Sequence, residues 1–164
     1  MLHAPTRPRA TRLPTLLALC ALALLAPAAA AAQAGAAADK PREEPPFSAY
    51  KGVRIGMTAD EARKLLGSPT EKDDKQDVYA FDEQESCEVY YDAAKKVSAV
   101  KVTFLGGKAT APTARAVLGD EPQANQDGSV YKLVRFPKAG FWVSYTRTSS
   151  DAPMTIIAIQ KIQQ

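Results

Sequence analysis

Few of the side chains from which catalytic centres are built occur in this chain. Its one histidine is His3, and its cysteines are Cys20 and Cys87. His3 falls in a segment that reads as removable. Without it no Ser-His-Asp triad, Cys-His dyad or His-ligated zinc site can be assembled. Cys87 then has no partner for an internal disulfide and no histidine to activate it, so it reads as a small buried residue. Ser48-Ala49-Tyr50-Lys51 and Ser129-Val130-Tyr131-Lys132 both fit Ser-x-x-Lys, but the Ser-Asp-Asn and Lys-Thr-Gly companions of that acylating motif are missing. Gly106-Gly107-Lys108 lacks the upstream glycine and the following hydroxyl of a phosphate loop and reads as a connection. The acids Asp73, Asp74, Asp77, Asp82, Glu83 and Glu85 do not alternate as a calcium loop requires, so they are expected to form a solvated loop. A hydrolase built here would have to pair carboxylates such as Asp60, Glu61 or Glu88 in a cleft. We therefore expect no enzyme, no cofactor and no metal site.

Charge excludes a further class. The chain of 164 residues has 21 Lys and Arg against 18 Asp and Glu, and three of the cations, Arg7, Arg9 and Arg12, lie in its first twelve residues. The remainder is balanced, which gives no electrostatic footing on nucleic acid. Those arginines precede an apolar run from Leu13 to Ala26 and then alanines, the pattern of a cleavable secretory signal over residues 1–32. Pro27 and the weakly apolar alanines leave less than the ~20 strongly apolar residues of a membrane span. A periplasmic or secreted product is the expectation. Cys20 lies inside the apolar run after Leu17-Ala18-Leu19, a poor lipidation site, and membrane contact is expected only if it carries lipid. Residues 33–46 are alanine, proline and charge without an apolar face and read as a disordered linker.

The remaining residues, 47–164, must supply the fold. Thr58 followed by Glu61 forms a capping box, and Gly67 then Pro69 end the helix they start, with Ala62, Leu65 and Leu66 on one face. Val78–Phe81, Ser86–Tyr91 and Val97–Phe104 read as strands, with Cys87, Val89 and Tyr91 on one side and Glu88 and Tyr90 on the other. Asp92–Lys96 joins the last two as a hairpin. Sliding the chain by 52 positions places Ala62-Arg63 on Ala114-Arg115, Gly67 on Gly119, Thr58 on Thr110, Val78-Tyr79 on Val130-Tyr131 and Tyr90 on Trp142. After a slip of seven, Ala99-Val100 falls on Ala158-Ile159, with 147–153 as a longer loop. The expected fold is α+β: two tandem repeats of a helix plus three strands, about 47–105 and 106–164, sharing one antiparallel sheet with the helices on one face.

Val53-Arg54-Ile55-Gly56-Met57-Thr58 with Leu65-Leu66-Gly67-Ser68-Pro69 resembles the opening of the SmpA/OmlA (BamE) family of small outer-membrane assembly proteins. The tandem arrangement is similar to the fold of β-lactamase inhibitor protein (BLIP-like). The resemblance implies a non-enzymatic binding role in the bacterial cell envelope, with the helix-free sheet face as binding face. It also implies, as an alternative, an assembly lipoprotein anchored through Cys20. Tyr90 and Trp142, set opposite the inward alternation, are then the candidate protein-binding residues, because interface hot spots favour Tyr and Trp. The partner is expected to be a protein.

Overall fold

A computed structural model describes residues 45–163. The signal and linker readings, and with them His3 and Cys20, lie outside the described residues, apart from Pro45 and Pro46.

Local chemistry sets the first helix. Thr58 leaves extended backbone (φ −73°, ψ 157°) to start α1 (Ala59–Leu66), and its hydroxyl accepts the Glu61 N–H while the Glu61 carboxylate accepts the Thr58 N–H at 2.8 Å. Asp60 and Glu61 sit at its positive end and Arg63 and Lys64 at its negative end. Gly67, at φ 86°, closes it by donating its N–H to the Arg63 carbonyl. The buried stripe differs from expectation. Ala59 and Ala62 face the core and Leu66 packs against it, whereas Leu65 is 49% exposed. Leu65 is turned about 100° from Leu66 and lies instead over Gly52, where a Cβ would come within 3.4 Å of its Cδ1.

Helix α2 (Ala114–Leu118) starts at Thr113, whose hydroxyl accepts the Ala116 N–H, and not at Thr110. Ala111 precedes Pro112 and is therefore steered away from the helical region, so the second helix begins later and is shorter. It ends as expected, with Gly119 left-handed at φ 72°.

The strands are β1 (Glu71–Lys72), β2 (Gln76–Ala80), β3 (Glu85–Tyr91), β4 (Val97–Phe104), β5 (Val130–Phe136), β6 (Phe141–Arg147) and β7 (Thr155–Lys161). The two-residue β1 has no counterpart in the sequence pattern. All pair antiparallel in one seven-stranded sheet ordered β1-β2-β3-β4-β7-β6-β5, so the chain is α+β with the β4–β7 pair near the centre and β1 and β5 at the edges. The β3–β4 hairpin turns at Asp92–Lys96 as read: the Asp92 carboxylate accepts the Ala94 and Lys96 N–H groups, and Lys95 takes a left-handed φ of 57°.

One sheet face is buried. Cys87, Val89, Val100, Val102, Val143, Ile157 and Ile159 project from it into a single cluster that includes Ala59 and Ala62 of α1 and Ala114, Val117 and Leu118 of α2. Both helices thus cover the same face. The correspondence of Val78-Tyr79 with Val130-Tyr131 fails at this level, because Tyr79 is buried and Tyr131 is 60% exposed. The cause is hairpin length. Between the last pairs, Ala80 with Ser86 and Phe136 with Phe141, lie residues 81–85 in one hairpin and 137–140 in the other. A difference of one residue exchanges the faces of every side chain on the outer strand.

Candidate open-face binding site

The face opposite the helices is organised in rows by the strand register. Tyr90 pairs with Ala99, Ala99 with Gln160, Gln160 with Trp142 and Trp142 with Arg135. Tyr90 and Trp142 therefore share one face and one row, three strand spacings or about 14 Å apart. Both are half-buried. The next row reads Val78, Glu88, Lys101, Ala158, Ser144 and Leu133. Beside Tyr90 the floor is lowered by Ala99 and Ala158, leaving a hollow of about 470 Å³ bordered by Tyr90, Lys101, Gln160 and Lys75.

Polar groups fix the Tyr90 side of the hollow. The Tyr90 hydroxyl donates to Glu88, and Lys101 Nζ lies 2.8 Å from Glu88 Oε1. That bond to Glu88, with burial second, pushes the Tyr90 phenol up to about 12, so it remains a donor at neutral pH. Burial works to raise the Glu88 carboxyl, but Lys101 and Tyr90 together hold it below its ordinary value. The three side chains form one oriented unit with a phenol ring at its rim.

The carboxylates weighed for hydrolysis are not brought together. Asp60 is exposed at the start of α1 and 3.6 Å from Arg63 Nη1, and Glu61 is committed to the Thr58 cap. Glu88 lies on the other side of the sheet. The Ser-x-x-Lys fragments are likewise separate: Lys51 pairs with Glu85 at 3.0 Å, and the Ser129 hydroxyl donates to Asp127 at 2.7 Å. Among the described residues no group of three or more His, Cys, Asp or Glu is placed to hold a metal ion.

Two acids of the expected solvated loop are instead buried on the helix side, which corrects that reading. Asp77 is fully buried; Arg63 meets it through Nε at 2.8 Å and Nη2 at 3.0 Å, and the Tyr91 hydroxyl donates to it at 2.6 Å. Glu85 accepts from the Tyr50 hydroxyl and from Lys51, and Lys108 reaches its other oxygen at 2.8 Å. The signal was available in the alternation. Asp77 shares its phase with Tyr79, and Glu85 with Cys87, Val89 and Tyr91. Their partners are supplied by distant segments: the Asp77 cluster ties α1 to β2, and the Glu85 cluster ties the Tyr50–Val53 turn and the 106–108 connection to the start of β3.

Cys87 is wholly buried, and burial, with lesser help from Glu88, pushes its thiol up to about 12. A thiol of that kind is inert. We expect no labelling of Cys87 by a thiol reagent in the native protein and complete labelling in denaturant, followed by mass spectrometry. Rapid native labelling would show that the strand opens readily around it.

Comparisons with protein-family models, with curated proteins and with solved structures find no match to this chain.

Proposed function

We propose that this chain is an exported, non-enzymatic protein-binding module of the bacterial cell envelope, acting through the helix-free face of its sheet. The observation that carries this reading is the shared row of Tyr90 and Trp142, with the alanine-floored hollow beside Tyr90. Aromatic side chains offer large contact area at small entropic cost, and a hollow beside one of them accepts a projecting side chain of a partner. Tyr131, 60% exposed on the same face, extends the aromatic surface toward the sheet edge.

A tandem BLIP-like architecture accords with the same facts. Each half supplies one helix followed by an antiparallel run of three longer strands, and the halves meet at β4 and β7. The second reading, an assembly lipoprotein held through Cys20, is favoured by the Gly56-Met57-Thr58 and Leu66-Gly67-Ser68-Pro69 text. The mass of the exported product separates the two, since the free module begins near Gln33 or Gly35 and the lipoprotein at an acylated Cys20.

The binding role is tested with envelope extracts passed over the exported protein and over a Tyr90→Ala/Trp142→Ala variant. The expected result is one protein retained by the first and lost by the second, with an affinity drop of about thirtyfold or more, corresponding to ~2 kcal/mol for hot-spot loss. Far-ultraviolet circular dichroism must show the variant folded. Equal retention on both would remove the open face as the site.

A further inference from the structure

The two edges of the sheet are unlike. One ends in β1, only two residues long, which offers little for another strand to pair with. The other ends in β5, seven residues without proline and paired to β6 without a bulge from Val130 to Arg147 through Phe136 to Phe141. Its outer side has no strand neighbour among the described residues. A regular edge of that length is a template for a further strand, and its side chains restrict which strand fits.

We propose that β5 pairs antiparallel with β5 of a second copy, about a two-fold axis through Leu133, joining the two sheets into one. An axis perpendicular to the sheet keeps both helix layers on the same side, so opposed residues must share a face and the axis must pass through a residue. Of the central positions, Lys132 is excluded because it would set Lys132 against itself, a like-charge pair. Val134 is excluded because Tyr131 would then face Pro137, which has no N–H to donate. With Leu133 on the axis every β5 residue finds an opposite: Val130 meets Phe136, Lys132 meets Val134, and Tyr131 meets Arg135.

That last pair forms twice and brings two exposed side chains together. Tyr131 is among the exposed large apolar residues, and Arg135 is exposed on the same face four residues further along the strand. A guanidinium across a strand from a phenol ring is a favourable cation–aromatic pair. The assembly is independent of the open-face reading, although it would make the two open faces continuous through Arg135 and Tyr131.

The test uses the exported product of the full chain carrying Cys20→Ser, so that Cys87, buried, is its one remaining thiol. Sedimentation equilibrium should give twice the monomer mass, and L133K, which opposes two lysines on the axis, should run as a folded monomer. The sharper arm is register. L133C should form a covalent dimer under mild oxidation, because directly opposed Cα atoms lie about 4.5–5.5 Å apart and a disulfide spans that range. Y131C should not, because its two copies are separated by four residues along the strand, about 13 Å. A monomeric parent, or cross-linking of Y131C as readily as L133C, would overturn the proposal.

Discussion

Replacing Arg63 by Met is expected to destabilise the domain by about 3 kcal/mol, the low end of the cost of stripping one partner from a buried ion pair. The low end applies because the Arg63 side chain is 23% exposed while Asp77 is fully buried. In the native protein the guanidinium grips both Asp77 oxygens, lies over the Tyr91 ring at 5.7 Å, and has its own affinity for the proton raised by the Asp77 bond. Without it the carboxylate keeps the Tyr91 hydroxyl and the longer Tyr79 contact at 3.4 Å, neither of which carries a charge. The charge then stays buried without a cationic partner. Urea denaturation at pH 7 should show the midpoint falling by about 2 M at an m-value near 1.5 kcal/mol/M. Adding Asp77→Asn should restore most of the loss, because the charge disappears while an acceptor remains for Tyr91. A single variant as stable as the parent would show that the pair does not hold α1 to β2.

The residues involved mark where sequence reading stops. Helix α1 is legible because everything that makes it is local: a cap, its reciprocal glutamate, a glycine and a proline within twelve residues. The β3–β4 hairpin is legible for the same reason, and so is the common face of Tyr90 and Trp142, since each follows an apolar residue in a clear alternation. Asp77 and Glu85 do not read as buried, although their strand phase points inward, because a charge enters a core only with partners. Those partners lie 14 residues away at Arg63 and 35 away at Tyr50. The face of Tyr131 is not legible from the repeat because it depends on a single residue of hairpin length. The edge position of β5 cannot be read at all, since strand order is a property of the whole sheet. What the pattern carries is the type of each element and most of its inward face; what it misses depends on contacts between distant segments.

Glu85 supplies the second large effect, and it emerges with pH. Burial alone would raise its carboxyl, but Lys108, the Tyr50 hydroxyl and Lys51 outweigh it and lower the group from 4.5 to about 2. A carboxyl depressed in the folded state binds fewer protons there than in the unfolded chain. Its stabilising contribution is therefore complete above pH 4.5 and is lost as pH falls through that value toward 2. At ~1.4 kcal/mol for each tenfold change in proton affinity, the loss amounts to about 3 kcal/mol. Other acids whose carboxyls are lowered, such as Asp82 and Asp92, add to the acid sensitivity of the whole protein. The contribution of Glu85 is isolated by comparison with Glu85→Gln. That variant keeps an acceptor for Tyr50 but cannot titrate, and it leaves Lys108 its contact with Asp82. Urea curves recorded from pH 7 to pH 2 should show the parent's advantage over the variant shrinking by about 3 kcal/mol, with the change concentrated below pH 5. Parallel curves across that interval would mean that the Tyr50–Glu85–Lys108 cluster does not hold its charge in the folded state. The anchoring of the Tyr50–Val53 turn would then rest on apolar packing, the burial of Tyr50 and Val53 in the core and the contact of Tyr50 with Phe81.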